Sequence, residues 1–289
     1  MLKETFKNSG IFGKLLLLIF CFFFLTLFGM ALVSLISGNS ANIQSLKINQ
    51  LILSVFTLLL PPVICGYLWY EKPVEAYSLH RLPTIRQVIL AILLIFSVSP
   101  FINLLSYLNE QMVFPPFLSG LENQLKDMED RAAELTQQML NVNSTSGLLF
   151  NLLVMAAMPA LGEELFCRGA LQNIFSENRN KYTAVWIVAV IFSLIHFQMY
   201  GFLPRMVLGA LLGYLLVWSG SLWLPVIIHF VNNAAIVLVS YFGKENQMLD
   251  TMESLGKAET FWIGIASAVV SGIIIWMLTK TSRNPKPEA

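Results

Sequence analysis

The sequence predicts an all-α, polytopic membrane helix bundle of about eight transmembrane helices, and three observations predict it. Hydrophobic residues make up 56% of the 289 and charged residues only 12%, where ordinary soluble domains carry roughly a quarter charged. Mean hydropathy is +0.68. The apolar residues also gather into runs of about 20, the length a helix needs to cross the hydrocarbon core. The same numbers exclude other classes. A formal net charge of +1 leaves no basic field to displace counterions, so no nucleic-acid partner is expected. Cys21, Cys65 and Cys167 all lie in apolar runs without paired spacing, which indicates neither a disulfide framework nor a cysteine zinc site.

The first apolar run, 13–37, follows Lys3, Lys7 and Lys14. It is longer than the roughly 7–15 residues of a signal-peptide core, and no small-residue cleavage site follows cleanly, so it reads as an uncleaved anchor. Runs 50–70 and 87–108 complete an N-terminal three-span region, 1–108. Residues 109–146 form an acidic extramembrane segment: Leu121, Leu125, Met128, Ala132 and Leu135 recur at helical steps among Glu122, Asp127, Glu129, Asp130 and Glu134, which predicts an amphipathic helix over the outer face. Five further runs, 147–174, 183–203, 204–219, 222–242 and 260–279, make a second bundle, 147–280, followed by a cytoplasmic tail, 281–289.

Lys and Arg set the orientation. With both termini in the cytoplasm, eleven basic residues fall inside and six outside, and Arg168 is left within the membrane. The expected location is the cell membrane, multi-pass.

Ionisable side chains inside a bilayer are costly, so their presence marks a candidate functional site. Glu164 and Arg168 are spaced i, i+4 and face each other on a helix as an ion pair. Adjacent helical residues point about 100° apart, which leaves Glu163 unpaired on another face. His196 ends the run Phe192-Ser-Leu-Ile-His in the fifth span. His229 and Asn233 share a face of the seventh, with Asn232 also within reach. Each group alone is compatible with helix-to-helix packing. Together, Glu163, His196, His229 and Asn233 all fall near the middle of their expected spans, so they can converge.

Glu163-Glu164-x-x-x-Arg168, Phe192-x-x-x-His196 and His229-x-x-x-Asn233, in that order on successive apolar segments, resemble the CPBP (Abi) family of intramembrane proteases, which includes CAAX proteases and bacteriocin-processing enzymes. The resemblance covers about 150–242. It implies an intramembrane endopeptidase in which Glu163 activates water with help from His196, while His229 and Asn233 stabilise the oxyanion. Glu164 and Arg168 would be structural support, and the partners a peptide or protein substrate and the lipid bilayer. Prenylated C-terminal peptides, leader peptides and bacteriocin precursors all stand open as substrates.

The residue types are coherent with that chemistry. Peptide hydrolysis needs a base for the water and donors at the developing oxyanion, each typically giving a factor of about 10²–10³. Among the serines and cysteines at a comparable depth, Cys167, four residues from Glu163, comes closest to a nucleophile with a base at helical spacing, and a covalent route is disfavoured. The cofactor question stays open. Glu163, His196 and His229 could make a three-ligand zinc site with a free water position, and members of the family are commonly labelled metalloproteases, but no His-Glu-x-x-His is present. Two other classes remain: a non-catalytic scaffold or immunity factor of the same fold, and a transporter, against which the lack of a visible inverted repeat counts.

Overall fold

The computed structural model describes residues 3–38, 42–243 and 248–282; the rest of the expected tail 281–289 lies outside the described residues. Every regular element among the described residues is helical. Among the described residues, seven helices are long and apolar enough to cross a membrane. An eighth apolar helix is shorter, in keeping with the expected bundle of about eight.

Helix α1 is Ile11–Ser37. Helix α2, Ile43–Trp69, starts where the Asn42 side chain accepts from the Ser45 amide at 2.8 Å. Its Pro61 and Pro62 have no N–H to give to the carbonyls four residues back. Just before them, Val55–Leu59 winds as a π turn. Helix α3, Ile85–Glu110, opens with a capping box between Thr84 and Gln87. Helix α4 is Ser119–Leu140. Helix α5, Thr145–Ser176, is capped by Ser144 and contains two π stretches, Leu152–Ala157 and Leu165–Leu171. Pro159 releases the Met155 carbonyl inside the first of these.

Helix α6, Lys181–Leu194, is the departure from expectation. The run 183–203 does not continue as one helix. Phe197 takes φ 54°, a left-handed conformation that a bulky residue adopts only under surrounding constraint, and the chain reverses over 195–198 before helix α7, Phe202–Ser219. Polar contacts fasten the reversal: Ser193 Oγ donates to the Phe202 carbonyl at 2.6 Å, and Arg205 grips the Gln198 side chain. Hydropathy alone does not register this break because the intervening residues are nearly all apolar or aromatic. At 1.5 Å per residue, α6 is about 21 Å long, well short of the ~30 Å core.

Gly220, at φ 65°, ends α7 in the left-handed turn that glycine adopts without strain. Helix α8, Trp223–Phe242, and helix α9, Phe261–Ser282, complete the bundle. Helix α9 runs antiparallel to α3, with Ser97 Oγ 3.0 Å from Ser271 Oγ and the Phe101 amide donating to Ser267 Oγ at 3.1 Å. Gly256 makes the approach possible, since a Cβ there would meet the Pro100 carbonyl oxygen at 2.1 Å.

Both described ends of the chain lie at one end of the bundle. The amides of Glu4 and Phe6 donate to the carbonyls of Tyr67 and Leu68 at the close of α2, and α9 finishes beside the start of α3. Lys14, 5% exposed, pairs with Glu177 at the foot of α5 and lies 5.3 Å from the Tyr70 ring.

The other end carries α4. Its inward face is Glu122, Leu125, Glu129 and Ala132 rather than the whole apolar stripe, and Leu121, Met128 and Leu135 remain 45–50% exposed. Glu122 accepts from the Tyr200 hydroxyl at 3.0 Å and from Lys126 at 2.8 Å, and Glu129 accepts from the Tyr200 amide at 3.2 Å. These bonds strap α4 to the reversal after α6. The Lys126 ammonium beside it holds the Glu122 carboxyl below its ordinary range, while partial burial pushes Glu129 up.

Candidate active site

Helices α5 and α8 cross so that α8 lies against Leu152–Glu164. That contact brings His229 onto both glutamates. Its Nδ1 lies 2.8 Å from Glu164 Oε1, and its Nε2 faces Glu163 Oε2 at 3.8 Å. A carboxylate oxygen can only accept here, so Nδ1 carries the proton that makes the shorter contact.

The Glu164 oxygen bonded to His229 also takes the Arg168 guanidinium at 2.9 Å. Glu164 and Arg168 are 0% and 1% exposed. A second guanidinium nitrogen donates to the Gly209 carbonyl on α7 at 2.7 Å. A Cβ on Gly209 would sit 3.0 Å from the Phe192 ring, so glycine there permits the close α6–α7 contact that presents this carbonyl.

Phe192 occupies the centre of the group. Arg168 lies 5.1 Å from its ring centroid, the His196 ring stacks edge-on at 4.9 Å, and the His229 ring stands at 6.5 Å. His196 is not mid-helix as expected: it sits in the turn just past Leu194, and Nδ1 is held by the Phe192 carbonyl at 2.6 Å. A carbonyl accepts only, so Nδ1 is the protonated nitrogen, and a neutral ring keeps its lone pair on Nε2.

Asn233 lies one turn along α8 from His229, and its side-chain oxygen accepts from Asn232 at 3.2 Å. Cys167, 1% exposed, belongs to the apolar cluster with Leu18, Cys65 and Trp69. Arg205, fixed by Gln198, interacts electrostatically with Glu163 from the start of α7. Neither Gln198 nor Arg205 stands out in the sequence; a second cation within an apolar run, close to a short motif, is the signal that could have found Arg205.

The donors do not gather as a metal centre. Among the described residues no three of the His, Cys, Asp and Glu side chains form a cluster that could hold an ion. His229 and His196 each hold Nδ1 on a protein oxygen and keep Nε2, an arrangement zinc-bound histidines also adopt, but Glu163, His196 and His229 are not gathered into the three-ligand set that zinc would need.

Residues 145–235, which contain every one of these side chains, match the family model described as type II CAAX prenyl endopeptidase Rce1-like. This segment is similar to CAAX proteases. The match begins with α5 and ends within α8, so it covers the crossing that joins the glutamates to His229. With its seven apolar helices, the chain is a multi-pass membrane protein, and over this region it resembles CAAX proteases. Searches of the curated proteins and of the solved structures return no match.

Proposed function

We propose that the chain is an intramembrane endopeptidase in which Glu163 is the base for the attacking water. The observation that supports it best is the carboxylate–imidazole–carboxylate sequence Glu163, His229, Glu164, built across two helices inside the segment that resembles CAAX proteases. Glu164 holds both Arg168 and His229 on Oε1, whereas Glu163 has no such partner at bonding distance among the described residues and its side chain is 18% exposed.

Glu163 takes a proton from water as the hydroxide oxygen bonds to the scissile carbonyl carbon. The neutral His196 Nε2 helps to hold that water. The oxyanion that forms is met by donors. An imidazolium at His229, set between Glu164 and Glu163, turns its Nε2–H towards Glu163 and the water it holds. Asn233 gives its amide N–H from one turn away, because its oxygen is turned to Asn232. The proton on Glu163 passes to the leaving nitrogen as the carbon–nitrogen bond breaks, releasing an amine and a carboxylate. The substrate is a membrane-associated peptide or protein; prenylated C-terminal peptides, leader peptides and bacteriocin precursors are its three candidate classes.

The experiment is a comparison of peptide termini in membranes from cells producing the wild-type protein or Glu163→Gln at equal level. New termini that appear with the wild type and vanish with Glu163→Gln identify the cleavage site. Identical sets of termini in both would overturn the peptidase reading.

A further inference from the structure

A polar cavity of about 170 Å³ lies on the other side of Arg168 from the glutamate–histidine group, towards the end of the bundle that carries both chain termini. Arg168, Gln172, Asn173 and Ser176 line it from α5, Lys181 from the start of α6, and Ser78 from the loop that follows α2. No acidic residue lines it. The neighbouring Glu177 is occupied by Lys14 and by the Tyr70 hydroxyl.

Two of the lining residues are almost completely buried and incompletely bonded. Arg168, 1% exposed, has no partner for Nε–H, and Gln172, 3% exposed, has none for Oε1. The Gln172 amide is oriented by its own N–H, which donates to the Gly213 carbonyl at 3.3 Å, so the unpartnered atom is an acceptor. Buried polar groups are bonded in the great majority of folded proteins. A ligand that satisfies this wall must therefore accept from a guanidinium and donate to an amide oxygen. With Arg168 already paired to Glu164, the exposed Lys181 at the mouth and the absence of an acidic lining residue among the described residues favour a negative charge on it.

We propose that this cavity binds a phosphate group that carries or adjoins a hydroxyl, with its oxygens on Arg168 and its hydroxyl on Gln172 Oε1. Two sources share that chemistry: free hydrogen phosphate, and the glycerol phosphate headgroup of an anionic lipid at the bundle's edge. Because the other two nitrogens of Arg168 hold Glu164 and the Gly209 carbonyl, occupancy is coupled to the Glu164–His229 contact. That coupling rests on the peptidase reading; the binding itself does not.

The test uses full-length Glu163→Gln protein, so turnover plays no part, in nanodiscs of phosphatidylcholine. Saturating inorganic phosphate should raise the melting temperature by about 2–4 °C, and sulfate, which has no hydroxyl at neutral pH, should raise it less. In discs containing phosphatidylglycerol, a higher starting temperature and no further response to phosphate would assign the site to the lipid headgroup. Lys181→Gln, at an exposed position that leaves the core intact, and Gln172→Met should each lose most of the response. No stabilisation by phosphate or by phosphatidylglycerol would overturn the proposal, as would an undiminished response in both variants or an equal response to sulfate.

Discussion

His229 Nδ1 and Glu164 Oε1 stand 2.8 Å apart, and the same oxygen holds Arg168 at 2.9 Å. Glu164 is therefore the hinge between an ion pair inside α5 and an imidazole from α8. Spacing alone assigns it to Arg168; the crossing of the helices gives it a second task, fixing the ring that faces Glu163.

The two glutamates should respond differently to substitution. Glu163→Gln should abolish cleavage at near-normal protein level. Glu164→Ala should lower the melting temperature of the purified protein, since it leaves Arg168 buried without its counter-charge at a cost of about 3–5 kcal/mol. Glu164→Gln should also reduce turnover, because the ring of His229 loses its anionic acceptor. Activity retained in Glu163→Gln but lost in Glu164→Gln would exchange the two roles.

Much of this arrangement was legible in the sequence. The charged residues in apolar runs marked α5 and α8, and the i, i+4 spacing of Glu164 and Arg168 corresponds to the 2.9 Å pair. The turn at His196 was not legible, because Phe197 breaks the helix by its backbone conformation, φ 54°, without any change in hydropathy. Nor was the inward face of α4. An amphipathic pattern shows where apolar residues cluster, but here Glu122 and Glu129 turn inward because Tyr200 offers them hydrogen bonds.

The strap between α4 and Tyr200 should depend on pH with a maximum. Glu122 titrates below the ordinary 4.5 in the folded protein, chiefly through its hydrogen bond from Lys126; its contribution is complete above 4.5 and is lost as pH falls through the lowered value. Glu129 titrates above 4.5 through burial, so stability falls as pH rises from 4.5 through the raised value. A spin label at Ser119 should therefore be least mobile near pH 4.5. Glu129→Gln should flatten the alkaline side and Glu122→Gln the acidic side; a monotonic profile in the wild type would contradict both assignments.

Cleavage should survive treatment with a strong chelator, and the purified protein should hold no stoichiometric metal by elemental analysis. Loss of activity to the chelator with recovery on adding zinc would restore the metalloprotease alternative.

Orientation can be read by labelling. Ser221 is fully buried, so the exposed Asn178 is the better probe of the end that carries both termini, and Ser119 of the end that carries α4. With the termini cytoplasmic, Ser119→Cys should react with an impermeant maleimide in intact cells and Asn178→Cys only after lysis. The reverse pattern would invert the protein in the membrane.

The brevity of α6 has a consequence for the lipids around it. An apolar helix some 9 Å shorter than the ~30 Å hydrocarbon layer draws the surrounding leaflet inward or admits headgroups and water towards its end. That end is where the His196 turn lies, so acyl chains beside it must splay or shorten. Bilayer thickness thereby becomes a control variable: lipids with shorter chains relieve the mismatch at this flank, and thicker, more ordered membranes oppose it. Turnover in a series of phosphatidylcholines of increasing chain length would then trace the elastic cost of bending the membrane to meet the site.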